Sequence, residues 1–284
     1  MLRTEATEDW EKLKEAAGFL KDAGFYGMKL SLVLGTGLGG LADEVEDAVI
    51  IDTDEIPGYP SSSVEGHYGR IVMGTLSGLK VLVFQGRVHY YEGHSPLMVC
   101  APVIISSFLG LQSVLLTNAA GAVRDDFKPG DLMLIDDTVN LSYMNPLLGT
   151  VSAEVRGGAL SFDSIAYPLY VTAALEAALE EGVTLHRGIL GMTAGPTYET
   201  PAEVQMLSYA GADAASMSTI PEIIMAKRLG LKVLTVSCLT NMATGISPNP
   251  LTHREVQIVA GMVSDKFRAF MKNVVGKIRE LHQW

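Results

Sequence analysis

The sequence predicts an α/β protein, one domain over residues 1–284 on a mixed, partly parallel sheet. Three observations point there. Short apolar runs of strand length alternate with amphipathic segments of helical period along the chain. Several of those runs stop in clusters of polar, planar or small residues, the pattern of an α/β sheet that carries a site at its carboxyl edge. At 48% hydrophobic and 19% charged residues, the chain can fill a core, and no repeat, low-complexity tract or linker divides it.

Taken in order, Trp10, Leu13, Ala16, Ala17 and Leu20 have helical spacing, and Leu30–Leu34 reads as a strand. Gly35-Thr36-Gly37-Leu38-Gly39-Gly40 follows. It fits G-x-G-x-x-G, but only Leu41–Ala48 separates it from the next apolar run, Val49–Ile51, too little for a dinucleotide crossover helix. The glycines instead let backbone N–H groups and the Thr36 hydroxyl approach an anion. Ile56–Ser63 is a loop, Gly66–Gly69 holds His67, and Arg70–Leu76 is a strand that turns at Gly78 into the strand Val81–Phe84. Behind Phe84 come Arg87, His89, Tyr90, Tyr91, Glu92 and His94. Arg87 and His89, two apart, share a side on extended backbone, and a guanidinium fork beside an imidazole suits phosphate. The plain alternative is a solvated loop with an Arg87–Glu92 ion pair.

The charge-free run Met98–Thr117 has membrane-span length, but Pro102, Ser106, Ser107, Gly110 and Gln112 interrupt it. It divides into a buried helix, Pro96–Leu109, and a strand, Ser113–Thr117, that ends in Asn118-Ala119-Ala120-Gly121. Leu132–Ile135 is a strand, Asp136–Phe162 an irregular stretch suited to a lid or subunit contact, Leu169–Glu181 a helix and Gly188–Met192 a strand. Three capping boxes follow, at Thr200–Glu203, Thr219–Glu222 and Thr252–Glu255. Tyr198 and Glu199 precede the first, Met217 and Ser218 the second, and His253 opens the third. The strand Val233–Ser237 leads to Asn241, and Val256–Leu281 closes the chain as a helix.

The net charge of -11 disfavours nucleic acid and anionic membranes as partners. Cys100 and Cys238, far apart in apolar runs, fit buried thiols in a reducing compartment, and no metal-ligand spacing occurs. The first residues show no apolar secretion segment, so the expected location is the cytoplasm. No serine nucleophile elbow is present. Thr36, Arg87, His89, Ser218 and the Asn118-Ala119 backbone, with His67, form an anion side. Tyr91, Tyr198 and Met217 can face a sugar or ring, while Glu199 and Asn241 can read a polar heterocycle.

These motifs, LVLGTGLGG, GHYGRIVMG, FQGRVHYYEGH, TNAAGAV, GPTYETPAE, GADAASMSTIPE, SCLTNMATG and HREV, stand in the order found in trimeric-type purine nucleoside phosphorylases, which the chain resembles nearly end to end. The resemblance implies a mixed, partly barrel-like sheet flanked by helices, a phosphorylase/hydrolase-like fold, in a cytoplasmic homotrimer serving purine salvage. It implies no cofactor and no metal, with inorganic phosphate as co-substrate. Phosphate would be bound by Thr36, His67, Arg87, His89, the Ala119 N–H and Ser218; ribose by Tyr91, Met217 and His253; and the base by Tyr198, Glu199 and Asn241. Asn241, His89, Glu199 and His67 would be the catalytic group. Related methylthioadenosine phosphorylases have Asp at the position of Asn241 and lack the acid at Glu199, so this pair implies 6-oxopurine nucleosides. Two departures stand out: Thr36 replaces the usual Ser, and Ser152–Gly158 lacks the aromatic that closes the neighbouring ribose site in the family. The competing expectations are a methylthioadenosine or adenosine phosphorylase, an NAD-dependent oxidoreductase resting on Gly35–Gly40 alone, and a non-catalytic nucleoside-binding protein.

Overall fold

Residues 2–64, 68–149, 160–247 and 253–284 are described by a computed structural model. Among them are the strands β1 (Leu30–Leu34), β2 (Glu46–Asp52), β3 (Arg70–Leu76), β4 (Leu79–Gln85), β5 (Ser113–Ala122), β6 (Leu132–Asn140), β7 (Leu185–Met192), β8 (Ala214–Ser216) and β9 (Lys232–Met242). The helices are α1 (Leu2–Asp22), α2 (Ala101–Phe108), α3 (Pro168–Glu180), α4 (Pro201–Tyr209), α5 (Ile220–Arg228) and α6 (His253–His282). The strand order is β2-β3-β4-β1-β5-β8-β7-β6-β9, and a further pairing of β5 with β9 closes the last five strands into a barrel. The mixed, partly barrel-like sheet is as expected.

Sequence alternation explains how the sheet is covered. In β1, Leu30, Leu32 and Leu34 point toward Tyr170 of α3 and Phe267, Phe270 and Met271 of α6. Val33 points the other way, into a cluster with Trp10, Leu13 and Leu20 of α1 and Val103 and Ile104 of α2. β4 divides likewise, with Val81 and Val83 on the first face and Leu82 and Phe84 on the second. Strands buried on both faces read as continuous apolar runs, which is why they were legible.

β1 is parallel to β4 and β5, and β5 to β9, so these four strands send their carboxyl ends the same way. Three strands run well past the expected ends, and β9 does so from Ser237 to Met242. β5 continues through Asn118-Ala119-Ala120-Gly121, pairing with β9, because small side chains leave the backbone free to stay in the ladder. β6 continues to Asn140, so the start of the expected irregular stretch is strand. The expected helix Pro96–Leu109 is one 3-10 turn, Met98–Cys100, followed by the shorter α2. Ahead of that turn, Ser95 Oγ accepts from the Met98 N–H at 3.2 Å. No described helix is long and apolar enough to cross a membrane.

The Thr200 capping box forms as expected. The Thr219 box does not. Thr219 adopts φ +81°, its side chain makes no cap hydrogen bond, and Glu222 turns elsewhere. The Thr252 box, His67 and Ser152–Gly158 lie outside the described residues, as does the side chain of His253.

Candidate active site

The parallel carboxyl ends meet at one cavity of about 300 Å³. Thr36, Arg87, His89, Tyr91, Ala119, Tyr198, Glu199, Met217, Ser218 and Asn241 all line it. Every expected site residue whose side chain is described is therefore in one place. Ala120 and Gly121, small residues read from sequence at this edge, line the wall too, and sequence reading missed Ser216 and Thr240 beside them.

On the anion side, Gly35 brings its loop against β5. A Cβ there would stand 2.6 Å from Asn118 Cα and 2.8 Å from the Thr117 carbonyl. The Gly35 N–H donates to Thr117 Oγ1 at 3.1 Å, which fixes the loop that presents Thr36. Arg87 is 4% exposed. Its Nη1 donates to the Thr117 carbonyl at 2.7 Å, and its Nε donates to Glu222 Oε1 and Oε2 at 3.3 and 3.1 Å. The Arg87–Glu92 pair considered from sequence is thus replaced by a buried Arg87–Glu222 pair. The reason is tertiary: α5 packs against α2 and β9, and Glu222, diverted from its cap, reaches the guanidinium of Arg87 just beyond β4. Ser218 and Thr219 stand at the start of α5, whose N-terminal dipole favours an anion. Asn118 Nδ2 donates to Thr219 Oγ1 at 2.9 Å, and the Ser218 and Thr219 hydroxyls are 3.0 Å apart. This network holds a β-branched residue at a positive φ, a strained state that persists only when its surroundings impose it.

Glu92 serves His89. It accepts from the His89 N–H at 2.6 Å and faces Nδ1 at 3.1 Å, and it also accepts from the Ser63 N–H at 2.6 Å. Burial alone would raise its carboxyl, but hydrogen bonds from the His89 ring, the Ser63 and His89 backbone and the Ser63 hydroxyl bring it to about 2. An ionised carboxylate only accepts, so Nδ1 carries the proton. The Tyr91 ring stacks on His89 at 4.8 Å. Burial, then the charge of Glu92, pushes the Tyr91 phenol up to about 12.

On the opposite side, Gly195 takes φ +65° close to Met217 and Tyr91, where a Cβ would stand 2.7 Å from Met217 Sδ. Tyr198 is at the mouth, its phenol raised by burial and then by the charge of Glu199. Glu199 is 8% exposed. Asn241 is placed by a bulge. Ala120 pairs with Leu239 and Gly121 with Asn241, so Thr240 is the extra residue, and both Thr240 and Asn241 reach the cavity. Strict alternation would have put them on opposite faces. Asn241 Nδ2 donates to the Met242 carbonyl at 3.0 Å, and Oδ1 accepts from the Thr240 hydroxyl at 2.9 Å. A carbonyl can only accept, so the amide cannot turn over without placing two oxygens together. Its remaining N–H is what it has to give a ligand. Among the described residues no group of His, Cys, Asp or Glu could hold a metal ion.

Arg, His, Thr and Ser beside an acid and an amide in one small cavity can hold an anion next to a polar heterocycle. The model of the phosphorylase superfamily matches residues 29–276. The chain belongs to that superfamily and, within it, to the purine nucleoside phosphorylases. It is 41% identical over 268 residues to purine nucleoside phosphorylase 1 of Bacillus subtilis, covering 94% of this chain and 98% of that one. It is 43% identical over 264 residues to the Geobacillus stearothermophilus enzyme, covering 93% and 96%. Among solved structures, the Schistosoma mansoni purine nucleoside phosphorylase in complex with inosine superposes with a TM-score of 0.87 at 32% identity, over 94% of this chain and 96% of that one. The same organism's enzyme in complex with adenosine gives 0.88 at 33%, over 94% and 97%.

Proposed function

We propose that this protein catalyses reversible phosphorolysis of 6-oxopurine ribo- and deoxyribonucleosides, inosine and guanosine, to the free base and (deoxy)ribose 1-phosphate. The observation that carries this reading is the single cavity that joins the Thr36–Arg87–His89–Ser218 side to the Glu199–Asn241 side. Phosphate sits against Thr36, Arg87, His89, the Ala119 N–H and Ser218, with His67 at its edge. Ribose lies by Tyr91, Met217 and His253, and the base packs on Tyr198 between Glu199 and Asn241.

The C1′–N9 bond breaks with its electron pair on the purine, a phosphate oxygen bonds to C1′, and the purine takes up a proton. The transition state is oxocarbenium-like. The phosphate dianion stabilises the positive sugar, and the Asn241 N–H strengthens its hydrogen bond as negative charge grows on the purine. The fixed polarity of Asn241 favours an acceptor on the base, hence a 6-oxo group. No cofactor or metal enters the reaction.

We further read the whole chain, 1–284, as one phosphorylase domain, working as a cytoplasmic homotrimer in purine salvage, with no nucleic-acid or membrane partner. Support is the near end-to-end match to its relatives. Ultraviolet-monitored cleavage of inosine, guanosine and adenosine, with and without phosphate, tests it. Phosphate-dependent cleavage of the first two, with adenosine slow, is expected. Phosphate-independent cleavage overturns phosphorolysis, and fast adenosine cleavage overturns the base assignment.

A further inference from the structure

We infer that Thr193 is a positioning residue that sets the preference of the site for a base with two adjacent N–H donors over a base with one. The inference rests on the proposed function, in which Glu199 reads the base.

The Thr193 hydroxyl donates to Glu199 Oε1 at 2.6 Å. The donor is itself anchored. β7 ends at Met192, which pairs with Ser216 of β8, and the Thr193 N–H donates to the Ser216 carbonyl at 3.1 Å. Glu199 is anchored from its far side by the Thr200 capping box, where the Thr200 N–H donates to Glu203 Oε2 at 2.7 Å. The span from 193 to 199 is thus fixed at both ends, and the Thr193–Glu199 hydrogen bond closes it through side chains. At its middle, Gly195 packs against Met217 and Tyr91, so the span cannot shift without disturbing the cavity wall.

Direction matters most. Glu199 lines the cavity and Thr193 is not among the residues that line it. The Thr193 hydroxyl uses one lone pair of Oε1. The other oxygen has no hydrogen-bond partner among the described residues. A carboxylate held in this way offers two acceptor atoms side by side. Guanine presents two neighbouring donors, a ring N–H and an exocyclic amino group. Hypoxanthine presents the ring N–H alone. One acceptor can find one donor after small rotations of the carboxylate, whereas a two-point contact needs the plane fixed. Loss of the Thr193 hydroxyl should then penalise guanosine more than inosine.

The variants are Thr193→Val, which keeps the shape and removes the hydroxyl, and Thr193→Ser, which restores it. Steady-state kinetics are run with guanosine and inosine at saturating phosphate and with phosphate at saturating inosine. Calorimetric binding of free guanine and hypoxanthine reads the same preference without turnover. In Thr193→Val, kcat/KM should fall about tenfold for guanosine and about threefold for inosine, the scale of one hydrogen bond to a charged group. The phosphate KM should hold, and Thr193→Ser should recover the wild-type guanosine-to-inosine ratio. Equal losses for both nucleosides, an unchanged ratio, or a parallel rise in phosphate KM would overturn the inference, since a role in packing alone predicts no change in ratio. Absence of turnover in a wild-type protein that binds both bases would sink phosphorolysis instead, and the guanine-to-hypoxanthine binding ratio of Thr193→Val would still decide the role of Thr193.

Discussion

Glu222→Ala is the perturbation in which sequence and structure give different numbers. As an acid in the first turn of a capping box, Glu222 would be worth about 0.3–1 kcal/mol. In the folded chain it is instead the partner of Arg87, with both side chains 2% exposed and Nε 3.1 Å from Oε2. A surface ion pair contributes about 0–1 kcal/mol. Removing one partner of a buried pair costs about 3–5 kcal/mol, because the other charge is left without water or counter-ion. Tyr59 and the Cys100 thiol feel the same carboxylate, since burial first and Glu222 second raise both. Against a total stability of about 5–15 kcal/mol, the loss is about a fifth or more. The assay is denaturant unfolding at fixed protein concentration, with a double-mutant cycle through Arg87→Met. Glu222→Ala should cost about 3–5 kcal/mol, and the double variant should cost less than the sum of the singles by about 2 kcal/mol or more. A loss below about 1 kcal/mol, or strict additivity, would refute the buried-pair reasoning.

Asn241→Asp replaces the only N–H the amide has to give with an acceptor, so kcat/KM for inosine should fall roughly 10²-fold. Adenosine should lose far less, and equal losses would show that Asn241 does not read the 6-position. The depressed carboxyl of Glu92, at about 2, adds stability above the ordinary carboxylate value that is lost as pH falls from about 4.5 through 2. Glu92→Gln should flatten the acid limb of the denaturation midpoint in that window and leave the neutral region level; an unaltered acid limb would count against it. Gly35→Ala brings a Cβ against two backbone atoms that cannot yield, 2.6 and 2.8 Å away. A stability loss of about 1–3 kcal/mol and a raised phosphate KM are expected, and wild-type values for both would show that the Thr36 loop does not depend on this contact.

Much of the site was legible because its residues lie in short segments that leave strand ends. Thr36 follows Leu34, Arg87 and His89 follow Gln85, and Met217 and Ser218 follow Ser216, so burial of the strand alone carries each to the edge. The elements hardest to read were those without apolar periodicity. β8 is three residues long, and the end of β5 is built from Asn, Ala and Gly, whose side chains show no preferred face. The Thr219 box illustrates a different miss. The local pattern was present, but a cap hydrogen bond is weak beside the demand of a buried guanidinium, and Glu222 pairs with Arg87 instead.

By itself, the sequence determined the α/β class, the apolar strands, the helical faces and the residue types needed for a phosphate and a heterocycle. These follow from local periodicity and side-chain chemistry, which depend on neighbours within a few residues. Only the tertiary structure decided the closure of β5 on β9, the bulge that turns Thr240 and Asn241 into one cavity, and the partners of Arg87, Asn241 and Glu199. Those partners stand 135 residues away for Arg87 and six for Glu199. In both cases a buried polar group takes whichever donor or acceptor the packed chain brings within reach, and no local pattern records which one that is.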